Sequence, residues 1–548
     1  MVSQKRSRNR KIVSCIPCHQ NKRKCDKKLP CTRCMRIGKT CSYEVNTRNT
    51  TEQDSTTSPS DDSGNQYSDG NKGYLVMGES GRSKYISGGF WNQYTSVTTR
   101  LPTQDAPKSW GTLFFDLSVR VTNSVDTKVF LTSFIPPRDH GLFLLDRYEQ
   151  AVYPFVPMVS PEWIRERYIK DCLETTQVDV DCCFFSLLYA ICYASAATFD
   201  EDDKLPAFMP SSLRSLRQAY LVACEHSILA GGFPQDPTIG DLRACVLVQS
   251  CLVHEPSRLA PVTPVAIKVA QTMGFHRDGT NYSLPPDVTE SRRRLWWQLV
   301  FLDQIEAVNR DMLTSIREDE FDTRLPQEEG FMMDTLRERY SAMIVQGQVM
   351  GALYGIRPPS PGAVDNLMKE IERVRKRAER FVKLHPEGKT DFERYSIKKM
   401  LMVPDKINLL MVPYFLKIGY YQGAESLVDT GLRYANTLCD LYRTPEFKPF
   451  AWFVRSCPPY HAVSLLIIVL HQNPYHEKAD QLRQAIDDTF KYCRPQGGVG
   501  WDALDDMRER LLKENQQLEG IDWKEWEFLF PSANLELFEP NSVGINDI

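Results

Sequence analysis

The chain has 548 residues, 42% hydrophobic and 25% charged, enough to bury a large core beside any small accessory module. Its formal net charge is -3, which excludes a uniformly basic nucleic-acid coat. The most apolar run, Ala462 to Leu470, falls well short of the roughly 18 apolar residues that a spanning helix needs, so no membrane partner is expected.

Charge is unevenly spread. Residues 1–48 hold fourteen Lys and Arg against two Asp and Glu, a balance of +12, which leaves about -15 for the remainder. That asymmetry fits a basic nucleic-acid arm joined to an acidic body. The basic arm, residues 1–11, carries Lys5-Arg6-Ser7-Arg8-Asn9-Arg10-Lys11. The run fits a nuclear import signal, a phosphate-binding arm, or both. No apolar leader follows Met1, so the thiols downstream are expected to meet a reducing compartment.

Residues 12–45 are read as the first domain. Cys15, Cys18, Cys25, Cys31, Cys34 and Cys41 are spaced C-x2-C-x6-C-x5-C-x2-C-x6-C, one half-motif written twice. Six thiols in this repeat point to metal, with a three-disulfide framework as the rival that a reducing compartment disfavours. Six thiolates complete two tetrahedra only if two of them bridge, and zinc suits an all-thiolate tetrahedral site. So short a segment buries no core of its own, so its fold is expected to depend on metal.

The spacing, the run Lys22-Arg23-Lys24 before Cys25, the pair Cys25-Asp26 and the step Pro30-Cys31 resemble the fungal Zn2Cys6 binuclear-cluster transcription factors. The resemblance implies two Zn2+ ions, with Cys15 and Cys31 as the bridges. Cys18 and Cys25 would complete one site, Cys34 and Cys41 the other. It also implies a nuclear protein whose partner is double-stranded DNA. The cluster would offer Lys22 to a CGG-type triplet in the major groove, and Arg23, Lys24, Lys27 and Lys28 to phosphates. His19 and Asn21 stand where the family usually has Arg.

Residues 46–110 are expected to be a flexible, disordered linker. Up to about residue 80 they are Ser, Thr, Asn, Asp and Gly with few large apolar residues, too few to offset chain entropy. No heptad pattern follows Tyr43, so pairing by a coiled coil is not expected there. The chain then binds as a monomer, or as a homodimer paired through its larger domain. Gly81 to Trp91 mixes Gly and aromatic residues, resembling the stretch that opens the regulatory region of the same family; an ordered surface loop fits equally.

Residues 111–515 are read as one large all-α regulatory domain of antiparallel helix pairs. Apolar periodicity predicts helices over 181–198, 212–230, 238–254, 262–273 and 288–309, then 341–353, 364–384, 423–442 and 461–471. Here a second resemblance appears. Met273-Gly274-Phe275-His276-Arg277-Asp278, then Glu290-Ser291-Arg292-Arg293-Arg294-Leu295-Trp296-Trp297, then Leu325-Pro326, is similar to the middle homology region of fungal transcription factors. After the long helix the family usually has Gly-Arg-Pro; this chain has Asn309-Arg310-Asp311. The arginines are expected to pack their stems and pair with carboxylates, Asp278 and Asp303 being the candidates, while Trp296 and Trp297 bury large areas.

No catalytic constellation emerges, so an enzyme is not expected. His276-Arg277-Asp278 matches a kinase catalytic-loop triplet, but no Gly-rich loop or Asp-Phe-Gly accompanies it. Cys182, Cys183, Cys192, Cys224, Cys245 and Cys251 lie on apolar helices at no metal spacing and read as small buried residues, with oxidant sensing as the alternative. Residues 516–548 interleave acidic and bulky apolar residues. They fit an activation segment that docks on coactivators, or a last helix docked on the domain. The reading is an RNA polymerase II transcription regulator, an activator or a repressor. The alternative is a sensor whose helical domain binds an unknown small-molecule effector and gates DNA binding or activation.

Overall fold

A computed structural model describes residues 18, 23–26, 32–37, 74–77, 83–86 and, with short interruptions of which the longest are 176–180 and 253–261, residues 124–509. The basic arm, most of the linker, Asp311 and the acidic-aromatic segment 516–548 lie outside the described residues.

In the first compact unit, Thr32–Arg36 forms one short helix, α1, which carries the buried Cys34. Within the stretch read as linker, β1 (Tyr74–Met77) pairs antiparallel with β2 (Ser83–Ile86), Tyr74 facing Ile86 and Met77 facing Ser83.

Every regular element described in the second unit is helical. It opens with α2 (Ser124–Thr132), α3 (Arg138–Arg147) and α4 (Pro161–Tyr168). Next come α5 (Cys182–Ala197), α6 (Leu213–Ala230), α7 (Ile239–Leu252) and α8 (Val262–Thr272). The long α9 (Pro286–Arg310), α10 (Phe331–Tyr354) and α11 (Pro361–Leu384) follow. The chain continues through α12 (Asp391–Leu409), α13 (Val428–Arg443), α14 (Tyr460–Gln472), α15 (Ala479–Tyr492) and α16 (Trp501–Arg508).

Local chemistry sets the boundaries. The Asp181 carboxylate accepts from the amides of Cys183 and Phe184 at 3.0 and 3.2 Å, satisfying two orphan donors at the start of α5. Ser212 does the same for α6 through the Ser215 amide at 3.2 Å. After α6 the chain turns at Gly232, whose φ of +99° is costly for any residue with a Cβ.

Successive helices pack as neighbours: α5 against α6 and α7, α10 against α11 and α12, and α13 against α14 and α15. At the centre lies α9, in which every residue from Leu295 to Val308 is buried. A helix buried all round has no polar face to show, which is why its apolar residues run together rather than in a stripe.

The C-terminal helices close back on the N-terminal loop. The Trp452 indole donates to the Ala151 carbonyl at 3.0 Å, and Arg339 Nη2 donates to the Phe155 carbonyl at 2.8 Å. Phe155 also meets the rings of Phe392, Tyr395, Phe450, Trp452 and Phe453, with centroids 4.3 to 6.0 Å away. Each such pair contributes about 0.5–1.5 kcal/mol beyond its buried area.

Several elements differ from their predicted spans. The helix predicted from Ser341 starts at Phe331, ten residues earlier. The stretch 423–442 divides at Leu427 into a short turn of helix, Tyr421–Glu425, and α13. Helix α12 has no counterpart in the predicted set: Pro404 lies inside it, and the neighbouring helices hold the segment helical despite the missing amide donor.

Candidate metal centre and buried polar cluster

In the first unit the structure describes three of the six candidate thiols. Cys18 and Cys34 are 1% and 0% exposed, while Met35 and Ile37 beside them are 58% and 47% exposed. Among the described residues of this segment, two thiols are therefore inner groups and two large apolar side chains outer ones. That inversion fits a thiolate-held metal rather than an apolar core. Cys25 is half-buried; Cys15, Cys31 and Cys41 lie outside the described residues. Among the described residues no three His, Cys, Asp or Glu side chains form a ligand group.

A polar tie links the two half-motifs. The Asp26 carboxylate, next to Cys25, accepts from the Thr32 amide at 3.2 Å and from the Thr32 hydroxyl, at the first residue of α1. Asp26 was read from sequence only as part of a resemblance; its structural work is to hold the second half-motif against the first. Of the proposed DNA contacts, Arg23 and Lys24 are exposed, and Lys22, Lys27 and Lys28 lie outside the described residues. The exposed Arg36 on α1 was passed over in the sequence, where it lies beyond the basic run.

In the helical unit the three motif pieces meet in one cluster. Arg293 Nε and Nη2 donate to the two oxygens of Asp278 at 2.8 and 2.9 Å, and its Nη1 donates to Glu290 at 2.5 Å. Asp278 also accepts from the Thr280 amide at 3.1 Å and from the Arg324 amide at 2.9 Å. Trp297 Nε1 donates to the Thr323 and Arg324 carbonyls at 3.2 and 2.9 Å. The backbone just before Leu325-Pro326 is thereby pinned from both sides. Burial pushes the Asp278 carboxyl up, but the hydrogen bonds from Arg293, Thr280 and the Arg324 amide outweigh it and hold it far below the usual range.

Gly274 opens this cluster with φ at +74°, and Arg292 Nη2 donates to the neighbouring Met273 carbonyl at 2.9 Å. The Arg292 guanidinium lies over the Phe275 ring at 4.1 Å, and Arg294 pairs with Glu328 at 2.5 Å. Both tryptophans are buried, Trp296 at 0% and Trp297 at 5% exposure.

One expected pairing is corrected. Asp303 is not an arginine partner; its oxygens accept from the Ser315 and Ile316 amides at 3.0 and 2.8 Å. It lies ten residues beyond Arg293 on α9, almost three turns along, and serves the loop after the helix instead. Asp278, in turn, has its oxygens fully engaged, so the kinase-like triplet is a structural tie and no free base.

Of the helix cysteines, Cys192, Cys224, Cys245 and Cys251 are buried, and burial pushes each thiol up, Cys251 to about 12. Cys182 and Cys183 are only half-buried at the start of α5. Sequence reasoning also missed Asp405, 1% exposed on α12, which pairs with Arg375 of α11 at 2.8 Å and Arg433 of α13 at 2.7 Å. Its partners lie about thirty residues to either side, at a separation that carries no local signal.

Residues 13–50 match the model of the fungal Zn(2)-Cys(6) binuclear cluster domain, a domain that binds two zinc ions, and residues 145–345 match the fungal specific transcription factor domain. An uncharacterized transcriptional regulatory protein of Schizosaccharomyces pombe is 23% identical over 98% of this chain and 95% of its own length. Transcription factor macR of Penicillium terrestre is 21% identical over 77% of this chain and 57% of its length. The aurofusarin cluster transcription factor aurR2 of Gibberella zeae is 27% identical over 53% of this chain and 44% of its length. The chain thus spans nearly all of the first relative and about half of the other two. Among solved structures, the K. lactis CBF3 core aligns at 11% identity and a TM-score of 0.47, over 69% of this chain and 81% of that one.

Proposed function

We propose that this chain, which belongs to the fungal Zn2Cys6 binuclear-cluster proteins with a fungal-specific transcription factor domain, regulates RNA polymerase II transcription in the nucleus by binding DNA sequence-specifically. The observation that carries the reading is the match of residues 13–50 on a segment in which Cys18 and Cys34 are buried and Arg23 and Lys24 are exposed. In this reading Cys15 and Cys31 bridge two zinc ions, Cys18 and Cys25 complete one, and Cys34 and Cys41 complete the other. Lys22 reads a CGG-type triplet while Arg23, Lys24, Lys27 and Lys28 meet phosphates. The fully engaged Asp278 leaves the kinase-like triplet without a free base.

The test is selection of bound duplexes from a random pool by the full chain, with zinc and with chelator. Zinc-dependent enrichment of CGG-type triplets is expected; zinc-dependent folding with no enriched sequence would sink the reading. Triplets paired at fixed spacing would make the chain a dimer on DNA, and single triplets a monomer.

A second reading, an effector-responsive helical domain, draws on a cavity of about 30 Å³ lined in part by Phe301, Ile305 and Met343. That cavity would have to widen to admit an apolar molecule. Hydrogen exchange of the helical unit across metabolite fractions tests it, protection of α9, α10 and α12 being the supporting result.

A further inference from the structure

The same cavity has a second character. Cys457, between the short helix Ala451–Val454 and α14, forms part of its wall. The thiol sulfur lies 3.3 Å from Lys399 Nζ and 3.9 Å from Lys406 Nζ. Those lysines are seven residues apart on α12 and so share one face. A third cation, Arg339 of α10, lines the cavity as well. Neither Lys399 nor Arg339 faces a carboxylate among the described residues; the ionisable groups that face them are Cys457, Lys406, Tyr340 and one another.

Buried cations without an anion are costly, and the thiolate of Cys457 is the negative charge at hand. Burial pushes the Lys399 ammonium down and would push this thiol up, but the charges of Lys399 and Lys406 outweigh the thiol's burial and hold it well below its ordinary range. Tyr395, Tyr434 and Tyr442 also face the group; burial pushes all three phenols well up, so they remain neutral. The four buried cysteines of α5, α6 and α7 are held up instead, with no ammonium beside them among the described residues.

Two further atoms of the cavity wall have unmet hydrogen bonds. Gln346, at 0% exposure, presents Oε1 with no donor, and Arg339, at 5% exposure, presents Nε with no acceptor. An open acceptor, an open donor and a thiolate around a space for one small molecule suit a ligand that both donates and accepts through oxygen. Hydrogen peroxide is such a ligand; larger electrophiles do not fit.

We propose that Cys457 is a peroxide-reactive cysteine, oxidised in place to the sulfenic acid. The thiolate sulfur attacks one peroxide oxygen, an S–O bond forms and the O–O bond breaks. Sulfur loses two electrons to the peroxide, and the departing hydroxide takes a proton from the Lys406 ammonium and leaves as water. Lys399 holds the attacking thiolate, and Gln346 and Arg339 orient the peroxide.

The test treats the full zinc-loaded chain with hydrogen peroxide in the presence of a cyclic dione that traps sulfenic acids, and reads each cysteine by peptide mass spectrometry. Cys457 is expected to label ahead of Cys192, Cys224, Cys245 and Cys251. Its rate should rise with pH to a midpoint below the ~8.5 of a free thiol. Lys399→Met should slow labelling at neutral pH by about tenfold and move the midpoint up by about one to three pH units. Lys399→Arg, which keeps the charge, should preserve the rate and controls for misfolding. Labelling of Cys457 no faster than Cys251, a native midpoint at or above that of a free thiol, or an unchanged rate in a folded Lys399→Met variant would each overturn the proposal.

Discussion

Arg293 lies across the carboxylate of Asp278, one nitrogen on each oxygen at 2.8 and 2.9 Å, with the two side chains only 4% and 2% exposed. The pair joins α9 to the turn after α8 and, through the Arg324 amide, to the loop before α10.

Removing one member leaves the other charged and buried. Arg293→Met should therefore cost about 3–5 kcal/mol in chemical denaturation of the helical unit. The sign of the pH dependence follows from Asp278, whose carboxyl is held below its unfolded value. Its contribution is fully present above about pH 4 and is lost as pH falls below that, towards the folded value. The stability gap between the native chain and Asp278→Asn should thus narrow on acidification below pH 4. A gap constant down to pH 2 would contradict this assignment.

Glu225 has the opposite balance. It is 8% exposed on α6, and Oε1 has no hydrogen-bond partner. Burial pushes its carboxyl up to about 8. The folded chain therefore binds a proton that the unfolded chain releases, and stability falls as pH rises from about 4 to 8. Glu225→Gln should flatten that slope and raise stability at pH 7 by about 3 kcal/mol, read as a higher denaturation midpoint.

Lys22 and Arg23 should separate in DNA binding. Lys22→Ala should cost about 1–3 kcal/mol and relax the preferred triplet, as loss of a base contact does. Arg23→Ala should weaken all duplexes alike and lower the slope of log K against log salt by about one. Fluorescence anisotropy over a salt series distinguishes the two; equal loss on every sequence for both variants would remove the base-reading role from Lys22.

Gly274 turns the chain with φ at +74°, and a Cβ there would meet nothing closer than Arg292 Nη2 at 3.5 Å. Space is available but the backbone conformation is not. Gly274→Ala should cost about 1–2 kcal/mol, and thermal unfolding should register it as a lower midpoint.

Much of this was legible because the informative residues lie close in sequence. Asp278 and Arg293 are separated by one turn and the start of one helix, and the cysteine repeat spans one short segment. Helix α6 announced both its ends, with Ser212 before it and Gly231-Gly232 after. Most of what stayed hidden depends on distant partners or weak patterns. Helix α15 buries Ala479, Leu482, Ala485, Ile486 and Thr489 along one face, an amphipathic pattern that was readable in the sequence and was passed over. Helix α12 was masked by Pro404, and the roles of Lys399 and Lys406 depend on Cys457, some fifty residues further on. Asp303 looked like a salt-bridge partner because it shares α9 with the arginines, but helical pitch sends it to another loop.

The bond from Trp452 to the carbonyl of Ala151 bridges 301 residues of chain. During synthesis, the N-terminal loop around Phe155 must wait for its aromatic partners until nearly the whole helical unit has left the ribosome. Residues 145–345, although matched as one domain, would if released alone lose Phe453 from the rings of Phe155 and Phe301 and should expose them to water. A nonsense codon between Phe155 and Trp452 should thus yield a sticky, chaperone-bound fragment rather than a shortened regulator.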